Sequence, residues 1–174
     1  MDKIVRQILT SRVYEAAVET PLEHAPNLSE ATGNRVLLKR EDLQPIHSFK
    51  LRGAYNRIVH LSAAERKHGI ITASAGNHAQ GVAYSAGKLG IKAVIVMPCT
   101  TPEIKVTAVK RFGVQVILHG DNYSDAAEQC QRLMGTSRMI YIHPFDDDLV
   151  IAGQGTIGVE ILRQSAEKVA AVFV

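Results

Sequence analysis

Tryptophan is absent from this 174-residue chain, and cysteine occurs only twice, as Cys99 and Cys130, without CxxC spacing. That scarcity excludes a disulfide framework and a thiolate zinc site and leaves two reduced, structural thiols as the expectation. No apolar run approaches the roughly 20 residues of a membrane-spanning helix. The opening MDKIVRQILTSRVYEAA lacks the basic-then-apolar layout of a secretory signal, so a cytoplasmic protein with no membrane partner is expected. The seven histidines have no metal-ligand spacing, and no metal is expected. The net charge of +3 is scattered, with Lys105, Lys110 and Arg111 assigned to the wet face of one helix. This leaves no footprint for nucleic acid. GxGxxG is missing as well, which argues against a dinucleotide-binding domain. With 46% apolar and 21% charged residues, the chain is globular and long enough for one domain or parts of two.

Two segments carry chemistry. In HSFKLRGA, Lys50 follows Ser48, a good N-cap, and precedes Leu51, Ala54, Tyr55, Ile58 and Leu61 at helical spacing. Lys50 is thus expected in a first helical turn, where the helix N-terminus and burial behind Phe49 favour the neutral amine. A neutral amine is the nucleophile needed to hold an aldehyde cofactor covalently. The alternative is a solvated surface lysine, as most lysines are. In ITASAGNHAQG, the apolar run Ile70 to Ala73 reads as a buried strand and Ser74-Ala75-Gly76-Asn77 as a turn. Ala79, Val82, Ala83, Ala86 and Leu89 then give a helix stopped at Gly90. Such a turn aims backbone N–H groups at an anion, a carboxylate or a phosphate, with Gly76 allowing close approach and Ser74 and Asn77 adding polar groups. An ordinary strand-to-helix turn capped by serine is the competing reading.

The rest of the chain alternates between the two periods. Ser62-Ala63-Ala64-Glu65 is a capping box ahead of the Ile70 strand. Strands are expected at Lys92 to Met97, Val114 to Leu118 and Met139 to Ile142. Between them lie a helix capped by Thr101 with Pro102 at N1, facing inward through Ile104, Ala108 and Phe112, and a helix from Ser124 to Met134 facing inward through Ala126, Ala127, Cys130 and Leu133. This βα alternation implies an α/β fold with an open, mainly parallel, doubly wound sheet whose ligands bind beyond the carboxyl ends of the strands.

KREDLQPIHSFKLRGAYN and TASAGNHAQG resemble the signature segments of pyridoxal-phosphate enzymes of the tryptophan-synthase β type (fold type II), closest to the biosynthetic threonine deaminases, and the similarity runs from Thr20-Pro21-Leu22 to AGQGT at Ala152 to Thr156. The resemblance implies pyridoxal 5'-phosphate as cofactor and an amino acid as substrate. It implies β-elimination of threonine to 2-oxobutanoate and ammonia, on the route to isoleucine, and of serine to pyruvate. Lys50 would be the catalytic residue. Lys50, Phe49 and Asn77 would bind the cofactor, with Asn77 on its ring hydroxyl, while Ser74, Ala75, Gly76, Asn77 and His78 would hold the substrate carboxylate. Arg52 is expected to be structural. A two-domain architecture follows, with residues 1–40 in a large domain, 41–144 in a small one and 145–174 returning to the large one through a helix at Val150 to Gln164 and a strand at Val169 to Val174. The family's glycine-rich phosphate loop, its pyridine-pairing serine and the regulatory part have no counterpart in the 174 residues. The chain therefore reads as an N-terminal, truncated fragment with little activity of its own, whose full-length form is a homo-oligomer. A serine or threonine racemase of the same family is the alternative enzyme; it carries a second serine where this chain has Ala75, and without that hydroxyl elimination is favoured.

Overall fold

A computed structural model describes residues 2–174. The chain opens with α1 (Lys3–Leu9), β1 (Leu22–His24), α2 (Pro26–Thr32) and β2 (Leu37–Lys39), followed by α3 (Lys50–Val59) and α4 (Ala63–His68). The alternating part comprises β3 (Ile70–Ala73), α5 (Asn77–Leu89), β4 (Ala93–Met97), α6 (Glu103–Lys110), β5 (Gln115–Leu118), α7 (Tyr123–Ser137) and β6 (Ile140–Tyr141), and α8 (Asp148–Gln164) closes it. Strands β3 to β6 form one parallel sheet in the order β5-β4-β3-β6, while β1 and β2 pair as a separate antiparallel ribbon.

Side-chain alternation along the strands explains the two covered faces. Ile70, Ile95 and Met97 pack with Ala79, Val82 and Ala83 of α5 and Val106 and Val109 of α6. Ile71, Ala73, Val94 and Val96 point the other way, onto Ala126 and Cys130 of α7. Strands β3 and β4 are buried along their whole length, as strands covered on both sides must be, and each fully buried branched aliphatic side chain contributes roughly 1.5–3 kcal/mol. The doubly wound expectation therefore holds. The capping box at Ser62 and Glu65 is formed in both directions, and Gly90 ends α5 in the left-handed region at φ 65°.

Four expectations are corrected. Helix α6 turns Val106 and Val109 inward and leaves Ile104 79% exposed, because the contact with α5 and β5 selects the other apolar stripe of a short helix. Its cap position falls on Pro102, not Thr101, and no side chain caps it. At α3 the cap position is Phe49, one residue beyond Ser48, although the Ser48 hydroxyl still accepts from the Lys50 N–H at 3.3 Å. Val169 to Val174 form no strand: among the described residues none pairs with them in a ladder, and Val172, Phe173 and Val174 are exposed.

Helix α3 is the hub, packing against α5 on one side and α8 on the other. Its approach to α8 depends on glycine. A Cβ on Gly153 would lie 2.7 Å from the Arg52 carbonyl oxygen, a backbone atom that cannot yield as a flexible side chain would. Gly153→Ala is therefore expected to lower stability by about 1–3 kcal/mol, read from the denaturant midpoint. A parental midpoint would mean that the two helices separate freely. Among the described residues no helix is long and apolar enough to cross a membrane.

Candidate active site

In sequence order the strands of the parallel sheet run third, second, first, fourth, so the order reverses between β3 and β6. Open α/β sheets bind ligands at such a reversal, beyond the carboxyl ends of the strands. Two segments border it: Ser74 to Asn77 after β3, and Ile142 to Pro144 after β6.

The N-terminal end of α3 meets the second of these segments at Pro144. The chain enters α3 through His47, a non-glycine residue at φ 56°. That conformation costs about 1–2 kcal/mol and is held by the His47 N–H donating to the Gln44 carbonyl and the His47 Nδ1 donating to the Asp42 carbonyl. Lys50 follows in the first turn, and its Nζ donates to the Pro144 carbonyl oxygen at 2.9 Å. The Phe49 ring centroid lies 5.4 Å from the same nitrogen. Burial lowers the Lys50 pKa below the ordinary lysine value and so favours the neutral amine. The other expected face of α3 is in place: Leu51, Ala54, Tyr55, Ile58 and Leu61 are all buried.

The second expected loop lies at the start of α5. Gly76 occupies the cap position, and nothing lies within 4 Å of where its Cβ would be, so the loop presents open space on that side. Ser74 Oγ accepts from the Gly76 and Ala79 N–H groups, each at 3.3 Å. Its own hydrogen stays available for donation. Ala75 and Gly76 are half-buried and Asn77 is exposed at the helix mouth, where the first backbone N–H groups have no intrahelical acceptor. Helices α3 and α5 come together at Gly81, where a Cβ would lie 3.1 Å from the Lys50 carbonyl oxygen. Gly81, Pro144 and Ile142 were not among the expected site residues. A glycine one helical turn into α5 was the available signal for the first, and the other two lack one, since only the tertiary fold brings residues 142–144 to Lys50.

His78 departs from the rest of its loop. Its side chain is only 3% exposed, with Nε2 donating to the Ile142 carbonyl at 3.0 Å and Nδ1 buried without a partner. Burial, with smaller contributions from Lys50 and His143, moves its pKa from 6.5 down to about 4, against the opposing effect of the Ile142 bond. Because the folded value lies below the unfolded one, the unfolded chain takes up the proton first. The stability that His78 contributes is complete above about pH 6.5 and is expected to decline as pH falls towards 4, by up to about 3 kcal/mol. His78→Gln, which keeps a donor without titrating, is expected to flatten that decline in denaturant unfolding between about pH 7 and pH 4. An unchanged slope would assign the acid sensitivity to other groups.

Arg52 is fully buried on α3 between Glu41 and Glu160 and donates to both. Every donor that Arg52 offers goes to a structural partner, in accord with the role expected of it. No cluster of three or more His, Cys, Asp or Glu side chains suited to a metal ion occurs among the described residues.

Comparison with known proteins agrees with this geometry. The chain is 55% identical over 173 residues to the biosynthetic L-threonine dehydratase of Burkholderia multivorans, covering 98% of this chain and 34% of that protein. It is 51% identical over 162 residues to the corresponding Escherichia coli protein, covering 93% and 32%. The chain thus spans about a third of the length of these curated relatives. Among solved structures, the processed form of threonine deaminase isoform 2 from Solanum lycopersicum superposes with a TM-score of 0.90 at 50% identity, over 94% of this chain and 45% of that one. Maize serine racemase superposes with a TM-score of 0.88 at 32% identity, over 94% and 50%. Residues 13–174 match the model of the pyridoxal-phosphate dependent enzymes, and the chain belongs to that family.

Proposed function

We propose that this chain is the lysine-bearing part of a threonine ammonia-lyase, which converts L-threonine to 2-oxobutanoate and ammonia and L-serine to pyruvate. The observation that carries this reading is the half-buried Lys50 amine, low in pKa and held on the Pro144 carbonyl at the point where the strand order reverses. The residues present fit pyridoxal phosphate at its reactive end. A primary amine poised to lose its proton lies beside an aromatic ring, near a helix mouth with open space at Gly76. Lys50 and Phe49 would hold the cofactor, with Asn77 on its ring hydroxyl. When bound, the cofactor supplies the electron sink that makes the substrate's α-proton removable.

The chain's own residues do the remaining work. The Lys50 Nζ, once free, accepts the α-proton. The Ser74 hydroxyl and the backbone N–H groups at the start of α5, including those of Asn77 and His78, orient the substrate carboxylate, with Ala75 and Gly76 leaving room for it. Holding the α-carbon in line is worth several kcal/mol of barrier. Loss of the β-hydroxyl then yields the 2-oxo acid and ammonia on hydrolysis. Ala75, with no hydroxyl, offers no second proton donor on the opposite face, which supports elimination over racemisation.

We extend the reading to organisation. Residues 41–144 form the small domain, and residues 1–40 and 145–174 belong to the large one, with α3 lying between α5 and α8 as the seam. The full-length protein is a cytoplasmic homo-oligomer in this reading. Incubating the chain with pyridoxal phosphate, reducing with borohydride and mapping the peptides is expected to place the adduct on Lys50. Adducts spread over the exposed lysines, with Lys50 unmodified, would overturn the assignment.

A further inference from the structure

The segment linking β6 to α8 is held more tightly than its lack of regular structure suggests. The Ile142 N–H extends the ladder by donating to the Ile71 carbonyl at 2.9 Å. The Ile142 carbonyl accepts two side-chain donors from different elements: Thr72 Oγ1 of β3 at 2.9 Å and His78 Nε2 of α5 at 3.0 Å. Thr72 is fully buried and His78 nearly so. Further on, the His143 Nδ1 accepts from the Phe145 and Asp146 N–H groups. Between these fixed points lies Pro144, whose ring locks its own φ and restricts the residue before it. The Pro144 carbonyl is the acceptor for Lys50.

We propose that Thr72 and His78 are positioning residues for Lys50, acting through the Ile142 carbonyl to fix the Pro144 carbonyl that holds the lysine amine. Neither side chain hydrogen-bonds Lys50 itself. The Thr72 hydroxyl lies inside an otherwise apolar strand, where an unpaired hydroxyl costs about 1–3 kcal/mol, so its presence there needs a partner such as this carbonyl. The two donors arrive from the strand and the helix that flank the Ser74–Asn77 loop, so one carbonyl ties both sides of that loop to the segment that meets Lys50. Loosening it uncovers the amine, and since burial is what lowers the Lys50 pKa, water entry raises it. The groups acting electrostatically on His78 are Lys50 and His143, and the Gln and Leu variants below carry no charge of their own at that position.

The proposal rests on the assignment of Lys50 as the reactive lysine, but its test needs no cofactor: reductive methylation of the whole chain as a function of pH, with Lys50 followed by peptide mass spectrometry. In the parent, Lys50 is expected to reach half-labelling at lower pH than the exposed Lys88 and Lys110. Thr72→Val and His78→Leu, each removing one donor, are expected to raise that midpoint by about half a unit or more. Thr72→Ser and His78→Gln, which keep a donor, are expected to restore it. Folded Thr72→Val and His78→Leu chains with the parental midpoint would overturn the proposal, as would a parent in which Lys50 labels like the exposed lysines. Should these two variants not fold, Thr72→Ala and His78→Ala, which also remove the donors, carry the same comparison. Failure of the borohydride mapping with this pattern intact would overturn the cofactor assignment alone.

Discussion

Replacing Lys50 by alanine is expected to abolish cofactor attachment and threonine turnover together, by at least about a thousandfold, while leaving the fold intact. In the proposed reaction one nitrogen both anchors the cofactor and receives the α-proton, so a single truncation removes two functions. The fold should survive because α3 is held by Leu51, Ala54, Tyr55 and Ile58, all at most 2% exposed, whereas Lys50 contributes one hydrogen bond to Pro144 and bears a desolvation cost. Alanine is also the better helix former, and the net change in stability is expected to stay within about 1 kcal/mol. Lys50→Arg separates charge from nucleophilicity: it keeps a cation near Pro144 but cannot shed a proton to attack an aldehyde, and should be as inactive as the alanine variant. Visible absorbance of the bound cofactor, release of 2-oxo acid by the intact enzyme and thermal unfolding check the three parts. Near-parental turnover of either variant would remove Lys50 from the mechanism.

Where local periodicity carried the information, the fold was legible. The βα alternation from Ile70 onward, the inward face of α5, the capping box at Ser62 and the first-turn position of Lys50 each follow from neighbours within one or two helical turns. The β1–β2 ribbon was not read, because strands of three residues are too short for an alternating pattern to stand out. Helix α6 carries two apolar stripes, one through Ile104 and Ala108 and one through Val106 and Val109, and only its contact with α5 and β5 chooses between them.

The site divides in the same way. Lys50 and the Ser74 to Asn77 turn were legible as a pair of helix mouths. The burial of His78 was not, since its motif suggests a ligand-facing loop while its ring bonds Ile142, a partner 64 residues away in sequence. Thr72 looked like one more residue of an apolar strand, and its hydrogen-bond partner became visible only when β6 was placed beside β3.

Arg52 leads to the second large effect. Glu160→Ala is expected to destabilise the chain by about 3–5 kcal/mol, as removal of one partner from a buried ion pair does. Glu160 is fully buried on α8. It accepts from Arg52 Nη1 at 2.5 Å and Nη2 at 2.9 Å, and from the Tyr14 hydroxyl at 2.7 Å. Lys39 Nζ lies 2.6 Å from its other oxygen. Alanine would leave two cations and a phenol facing a void, with Glu41 alone to balance Arg52. Glu160→Gln keeps the volume and an acceptor and should cost less, although it still strands a charge. A double-mutant cycle with Arg52→Met separates the pair's coupling from the cost of stranding its partner.

A dependence on pH identifies the carboxylate as the source. Burial opposes the charge on Glu160, but hydrogen bonds from Arg52, Lys39 and Tyr14 outweigh it and hold the pKa below the ordinary glutamate value. Stability from this group is therefore complete above the unfolded value and is lost as pH falls through the lower folded value. Glu160→Gln should lack that loss, and the window opens at lower pH than the one assigned to His78. Denaturant midpoints at neutral and acidic pH measure both effects, and a Glu160→Ala midpoint close to the parent's would show the network to be dispensable. A large loss would instead mean that the seam between α3 and α8, which carries Lys50 two residues before Arg52, depends for its stability on a charge network assembled from four separate parts of the chain.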